Sequence, residues 1–279
     1  MSHTPRKRFG QNFLRDTTVV SRIVQSLAIK SGDRIVEIGP GEGALTSVLL
    51  QAGARVDAIE IDRDLAVLLG RRFQGSDTFR LHLSDVLKFD FRSLASDVPL
   101  RVVGNLPYNI STPLMFHLFE QAGLFGEMLF MLQREVVDRL CANAGEEGYG
   151  RLSIMARYYS RAERLFDVGP ECFYPPPRVH SSVVRLVPHE VKPVDVNVSE
   201  LNRVVAGAFM QRRKTLRNAL RHLADEAVLV AAGIDPSARA ETLSLEDYAR
   251  LASLIQASGV DSGDDRRSVS AGAPFDFGN

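Results

Sequence analysis

From residue 34 to residue 186 the chain alternates short β-rich runs with helical stretches, and no other feature limits its fold so strongly. Residues 34–38, 56–61, 79–83, 101–104 and 128–132 read as strands, with two later strands expected at 162–168 and 182–187. Residues 44–51, 63–73, a stretch near 113–121 and 134–141 read as helices. Such alternation predicts an α/β fold with a parallel sheet covered by helices on both faces. Pro188 and Pro193 interrupt the pattern, so 188–197 reads as a linker. Beyond it, 199–223 and 244–257 are expected to be helical, with a short helix between them and with Ser199 and Ser244 as N-caps. The organisation expected is a large unit over 1–188, a smaller all-helical unit over 198–257 packed on it, and a disordered tail over 258–279 rich in Gly, Ser, Asp and Ala.

Composition excludes several classes. No run of 18 apolar residues occurs, so no helical membrane span is expected. The basic N-terminus has no apolar stretch behind it and is not a secretory signal. The two cysteines, Cys141 and Cys172, have no metal-type spacing and read as reduced thiols of a cytoplasmic protein. The six histidines are scattered, and no metal site is expected. Net charge is zero, from 34 basic and 34 acidic residues, yet the cations cluster. Arg6, Lys7, Arg8, Arg15, Arg22 and Lys30 stand against Asp16 alone in the first 30 residues, and Arg203, Arg212, Arg213, Lys214, Arg217 and Arg221 have no acid among them between Leu201 and Ala224. Two local basic patches in a balanced chain suggest contact with a polyanion; solvated helix faces are the plainer explanation.

The first strand runs into Gly39-Pro40-Gly41-Glu42-Gly43, which opens a helix. Glycines there let a ligand approach the backbone, and the helix start supplies free N–H groups. Glu60 ends the next strand, 21 residues after Gly39, where a carboxylate can accept both hydroxyls of a ribose. Asp85 ends the third, placed either to accept from an adenine amine or to cap the segment that follows. With Ala44 the turn also fits the dinucleotide fingerprint G-x-G-x-x-G/A, so a nicotinamide cofactor stays open. Two features favour S-adenosylmethionine. Pro40 and Glu42 make the turn stiff and acidic, which suits a sulfonium and an ammonium better than a pyrophosphate. A hydride-transfer enzyme also has no use for Asn105-Leu106-Pro107-Tyr108 after the fourth strand.

That tetrapeptide suits the in-plane holding of an exocyclic aromatic amine. The Asn105 side-chain oxygen and the Leu106 carbonyl are neutral acceptors. Pro107 stiffens the turn, and Tyr108 offers a face for stacking. Two acceptors on the amine hydrogens draw the nitrogen toward tetrahedral geometry with its lone pair aimed at a methyl group, which is preorganisation rather than general-base chemistry. A base inside a duplex cannot reach such a pocket, so the target is single-stranded or flipped out. Phe173, in the proline-stiffened Phe173-Tyr174-Pro175-Pro176-Pro177-Arg178-Val179-His180-Ser181, is a second candidate face, with a core position as the plainer alternative. Arg6-Lys7-Arg8, ahead of Phe9-Gly10-Gln11-Asn12-Phe13-Leu14, is expected to form a flap that covers a cofactor and touches phosphate. Arg212-Arg213-Lys214 is expected to place three cations on a helix for phosphate contacts.

Together these segments resemble the ribosomal RNA adenine dimethyltransferases, most closely the bacterial small-subunit type. The resemblance rests on Gly10-Gln11-Asn12-Phe13-Leu14, Val36-Glu37-Ile38-Gly39-Pro40-Gly41, Glu60-Ile61-Asp62, Asp85, Gly104-Asn105-Leu106-Pro107-Tyr108, Phe173-x-Pro175-x-Pro177-x-Val179-x-Ser181 and Arg212-Arg213-Lys214, with Gly150-Arg151-Leu152-Ser153 and Arg239-Ala240-Glu241-x-Leu243-Ser244 also similar. It spans about residues 5 to 256. It implies a Rossmann-like class I methyltransferase sheet with a smaller C-terminal helical domain. It implies S-adenosylmethionine-dependent N6-dimethylation of two adjacent adenosines in the 3′-terminal hairpin loop of 16S rRNA, on an assembling 30S subunit. By position, Asn12, Leu14, Gly39, Gly41, Glu60, Asp85 and Asn105 would line the cofactor. Asn105, Leu106, Pro107, Tyr108 and Phe173 would hold the adenine, and the helical domain would contact rRNA. A cytoplasmic monomer with no membrane partner is expected. The alternatives are a relative acting on large-subunit rRNA, a non-catalytic assembly or transcription factor, and a nicotinamide oxidoreductase.

Overall fold

The computed structural model describes residues 11–258. Arg6, Lys7 and Arg8 of the expected flap and the expected disordered tail beyond Ser258 lie outside the described residues. The chain opens on a two-residue strand, β1 (Phe13–Leu14), and helix α1 (Thr17–Ser26). There follow β2 (Arg34–Ile38), α2 (Ala44–Gln51), β3 (Arg55–Glu60), α3 (Arg63–Arg72), β4 (Phe79–Leu83), β5 (Leu100–Asn105), α4 (Ser111–Glu120), β6 (Phe125–Gln133) and α5 (Arg134–Cys141). Then come α6 (Arg151–Tyr159), β7 (Ser160–Val168), β8 (Phe173–Tyr174) and β9 (Ser181–Pro188), and last the helices α7 (Val198–Met210), α8 (Leu216–Ala219), α9 (Glu226–Ala231) and α10 (Leu245–Ala257).

The main sheet has seven strands in the order β4-β3-β2-β5-β6-β9-β7. β4, β3, β2, β5 and β6 are parallel, and β9 runs antiparallel to both β6 and β7. The expected α/β architecture is therefore present, with two late strands forming an antiparallel flank. Strand residues alternate between two cores. Val36, Val102, Met128 and Phe130 face the cluster under α4 and α6, while Ile35, Val103, Leu129 and Met131 face the cluster under α1 and α2. Burial on both faces is why these strands read as near-continuous apolar runs. Each fully buried Leu, Ile or Phe contributes about 1.5–3 kcal/mol.

The chain leaves β2 toward β3 on one side and returns to β5 on the other. This reversal opens a crevice at the carboxyl ends of β2 and β5, the place where ligands bind in such sheets.

Two expectations about the helical region need correction. Asn197, not Ser199, caps α7: its side chain accepts from the Ser199 and Glu200 amides. The helix also stops at Met210, so Arg212, Arg213 and Lys214 lie in an exposed turn before α8 rather than on a helix. Thr215 leaves helical geometry to bridge Arg239 and start α8. Ser244 caps α10 as expected, in a reciprocal pair with Asp247. α6 has no counterpart in the sequence reading. Its Leu152, Met155 and Ala156 enter the sheet core, and its Ile154 and Tyr158 enter the core built by α7 to α10. The helical region thus packs on the sheet unit through a shared helix.

Candidate functional site

A cavity of about 280 Å3 lies at the ends of β2, β3, β4 and β5. Each strand delivers one group to it. β2 delivers the glycine turn, β3 Glu60, the residues after β4 Asp85, and β5 Asn105 followed by Leu106, Pro107 and Tyr108. A second cavity, of about 430 Å3, continues beyond the turn toward α1 and α2. Phe13, Gly39, Gly41 and Asn105 line both.

The turn needs its glycines. Gly41 has φ +59°, and a Cβ there would stand 2.9 Å from the Phe13 ring. Gly104 lies so close to β2 that a Cβ would meet the Ile38 carbonyl oxygen at 2.6 Å. A larger residue at either position would push apart the segments that form the cavity wall.

Glu60 is buried, and backbone donors hold it in place. Its Oε1 accepts from the Ile61 and Asp62 amides, each at 2.9 Å, and its Oε2 accepts from Gly41 N at 3.3 Å. Burial still raises its pKa above the usual carboxylate range, the donors pulling the other way. Asp85 resolves one of its two readings in part: Oδ1 accepts from Leu87 N at 3.0 Å and caps the 3-10 turn that follows. Its Oδ2 has no hydrogen-bond partner among the described residues, and the residue lines the cavity.

Asn105 ends β5. Its Nδ2 donates to the Asn12 carbonyl at 2.9 Å. A carbonyl can only accept, so this bond fixes which way the amide faces and leaves Oδ1 as an acceptor. Leu106 is buried, and its amide donates to the Met131 carbonyl at 3.1 Å. Pro107 caps a single 3-10 turn, Tyr108–Ile110. Tyr108 is half-buried, its hydroxyl lies 2.8 Å from Ser181 Oγ, and burial raises its pKa.

The structure brings Asn12, Gly39, Gly41, Glu60, Asp85, Asn105, Leu106, Pro107 and Tyr108 to one cavity. Leu14 lines the second cavity rather than the first, and Phe173 lines neither. They pair with each other across β1 and β8 and are buried in the α1–α2 core, Phe173 at 5% exposure. Arg212, Arg213 and Lys214 lie on the helical region and are exposed. Arg212 approaches Glu241 at 3.7 Å, whereas Arg213 and Lys214 have no ion pair among the described residues.

Three features escaped the sequence reading. Glu37, one residue short of the end of β2, is buried, accepts from Thr46 Oγ1 at 2.6 Å and lines the second cavity. Burial pushes its pKa up to about 7. The acidity assigned to Glu42 is offset by an ion pair with Arg15 at 3.2 Å, and Glu42 lines the second cavity, so the carboxylates of the first cavity are Glu60 and Asp85. Ser181 reaches Tyr108 from a distant strand. Only Glu37 left a signal that could have been used, an acidic residue inside an otherwise apolar strand.

The family described as ribosomal RNA adenine dimethylase matches residues 2–257. The chain belongs to this family. Its relatives include the ribosomal RNA small subunit methyltransferase A of Methylococcus capsulatus, 61% identical over 251 residues, which cover 90% of this chain and 98% of that protein. The protein of the same description from Pseudomonas fluorescens is 56% identical, over 91% of this chain and 94% of its own length. Among solved structures, the dimethyladenosine transferase from Plasmodium falciparum superposes with TM-score 0.73 and 26% identity, covering 86% of this chain and 95% of that one. The 23S rRNA methyltransferase ErmE superposes with TM-score 0.66 and 25% identity, covering 88% and 100%. The dimethylase family thus accounts for the methyltransferase-type sheet and for the order of the motifs along this chain. No helix among the described residues is long and apolar enough to cross a membrane, and no cluster of potential metal ligands occurs among them.

Proposed function

We propose that this dimethylase transfers methyl groups from S-adenosylmethionine to N6 of two adjacent adenosines in the 3′-terminal hairpin loop of 16S rRNA, within an assembling small subunit. The observation that carries this reading is the Asn105 amide, locked by the Asn12 carbonyl so that its oxygen remains an acceptor beside the cavity.

The residues fit a nucleoside joined to an amino acid. The two cavities meet at the Gly39–Gly41 turn and Asn105 and together suit an elongated ligand. Glu60 Oε2, which accepts only from Gly41, keeps a lone pair for one ribose hydroxyl, and the unpartnered Asp85 Oδ2 is an acceptor for an adenine amine. Gly41 lets the turn pack directly on the Phe13 ring, where a Cβ would collide, and so keeps the wall shared by the two cavities in place. Asn12 and Leu14 close this side through the β1 segment. When bound, the cofactor supplies a methyl group activated by sulfonium charge.

On the acceptor side, Asn105 Oδ1 and the Leu106 carbonyl accept the two amine hydrogens of the adenine. The lone pair of N6 then points at the methyl donor, and the charge that develops on the amine is stabilised by acceptors already in place. Pro107 keeps the two acceptors at fixed spacing, and Tyr108 stacks on the base, worth about 1–3 kcal/mol. No side chain needs to take the proton during transfer; it leaves to water afterwards. Phe173 joins the stack only after the 173–181 loop shifts, since its ring is now core.

Arg213 and Lys214, with Arg212, contact rRNA phosphates, as do Arg6, Lys7 and Arg8 at the N-terminus. The unit over 198–257 acts as the ribosome-binding part. The protein works as a cytoplasmic monomer without a membrane partner. The test is to incubate it with labelled S-adenosylmethionine and undermethylated 30S particles and to map the label. Dimethylated adenosines in the 3′-terminal hairpin of 16S rRNA are expected. Label in 23S rRNA would overturn the substrate, and no label in either RNA would overturn the reaction.

A further inference from the structure

Tyr108 stands on a short turn, but what holds it lies across the molecule. Its hydroxyl and Ser181 Oγ are 2.8 Å apart, the one hydrogen bond of either side chain among the described residues. Ser181 is the first residue of β9 and is fully buried. It is paired on both flanks, with Gln133 of β6 and with Val168 of β7. The neighbouring Ser182 points to the opposite face, as successive strand residues do. Its hydroxyl donates to Asp167 at 2.6 Å, in a cluster that also includes Arg164. Two adjacent buried serines thus serve separate partners.

A buried hydroxyl is unfavourable unless it is paired. Ser181 is paired, and its partner is the aromatic residue at the cavity. The two ends of the bond differ in how they are held. Ser181 is fixed by ladder partners in the interior of the sheet. Tyr108 is half-exposed on one turn of 3-10 helix whose cap makes no side-chain hydrogen bond. A phenol ring turns about two side-chain bonds, and a bond at its far end limits both. The strand therefore dictates the tilt of the ring face.

We infer that Ser181 is a positioning residue for the acceptor base: its hydroxyl sets the plane of Tyr108 against which the adenine stacks. The inference rests on the reading of Tyr108 as the stacking face. In the free enzyme the bond orients the ring before RNA arrives, so the ordering cost is met on folding rather than on binding. Ser181 touches neither the cofactor cavity nor the reacting atoms, and its effect passes entirely through Tyr108.

The test is a double-mutant cycle on the full-length protein with undermethylated 30S particles. Ser181→Ala and Tyr108→Phe are each expected to lower kcat/KM for the particles by about three- to tenfold, the kinetic size of one neutral hydrogen bond. Cofactor affinity by calorimetry should change by less than about twofold. The double variant should be no worse than either single one, since both remove the same bond. Losses that multiply in the double variant would overturn the inference, because Ser181 would then act by another route. Tyr108→Phe removes the bond from the half-exposed side and decides the matter should Ser181→Ala fail to fold: unchanged kcat/KM in that variant overturns the inference. Ser181→Thr keeps a hydroxyl and should recover activity wherever it folds. Failure of the underlying reading looks different: Tyr108→Ala would then be as active as the wild type, or the wild type would not label 16S rRNA.

Discussion

The two walls of the cavity are built on different principles. On the cofactor wall each polar group is fixed by nearby backbone. Glu60 takes amides from residues one and two positions away and from the facing turn, and Asp85 caps the turn that it begins. On the acceptor wall each group depends on one bond to a remote segment, Asn105 on Asn12 and Tyr108 on Ser181, separated by 93 and 73 residues. Strand ends build the first wall as soon as the sheet forms. The second requires the N-terminal segment and β9 to be in place as well. On the function proposed above, the first wall governs cofactor binding and the second governs rate.

The sharpest way to break this contrast is Asn105→Ala. Loss of one preorganised polar group on the acceptor wall is expected to cost about 2–4 kcal/mol of transition-state stabilisation, a fall of about 30- to 900-fold in kcat. Cofactor affinity should fall much less, through loosening of the Asn12 segment. Single-turnover rates beside calorimetric titration separate the two effects, and near-normal turnover would remove the role assigned to the amide. The opposite pattern is expected for Glu60→Ala. A charge-assisted hydrogen bond contributes about 1.5–3 kcal/mol, so cofactor dissociation constants should rise about 10- to 100-fold. Turnover at saturating cofactor should change less.

Glu37 tests the floor of the second cavity. Its folded-state pKa, near 7, lies above the ordinary value of 4.5 because burial disfavours the charge; Glu60 adds repulsion and Thr46 opposes it by hydrogen bonding. The folded state therefore binds more protons than the unfolded state between those values. The stability that this group contributes is full below pH 4.5 and is lost as pH rises through 7. Glu37→Gln should remove that dependence, so its unfolding free energy relative to the parent, followed by denaturant titration, should rise between pH 5 and pH 8 by an amount on the order of 1–3 kcal/mol. The smallest effects belong outside both walls. Arg213→Ala and Lys214→Ala should each weaken rRNA binding by about 1 kcal/mol or less and lower the salt slope by about one, with cofactor affinity unchanged.

The parts of the molecule that could be read in advance are those whose pattern is local. β2 and β4 fall where the apolar runs predict them, and α2 and α5 match their periodicity to the residue. α6 could not be read in this way because it is buried on most sides, with Arg157 its one exposed residue; its two cores belong to partners distant in the chain. Arg212, Arg213 and Lys214 read as helical because a basic run is compatible both with a helix interior and with the end of one. The bridge from Thr215 to Arg239 decides that. Phe173 read as a stacking face with a core position as the alternative, and pairing with Leu14 placed it in the core.

The order of strands and helices, the glycine turn, and the kinds of group available at each strand end follow from residue pattern, because backbone preference and burial act over a few neighbours. The free oxygen of Asn105, the tilt of Tyr108, the quenching of Glu42 by Arg15 and the raised pKa of Glu37 came only from the folded chain. Hydrogen bonds, ion pairs and desolvation depend on which segments meet, and those contacts join residues far apart in sequence.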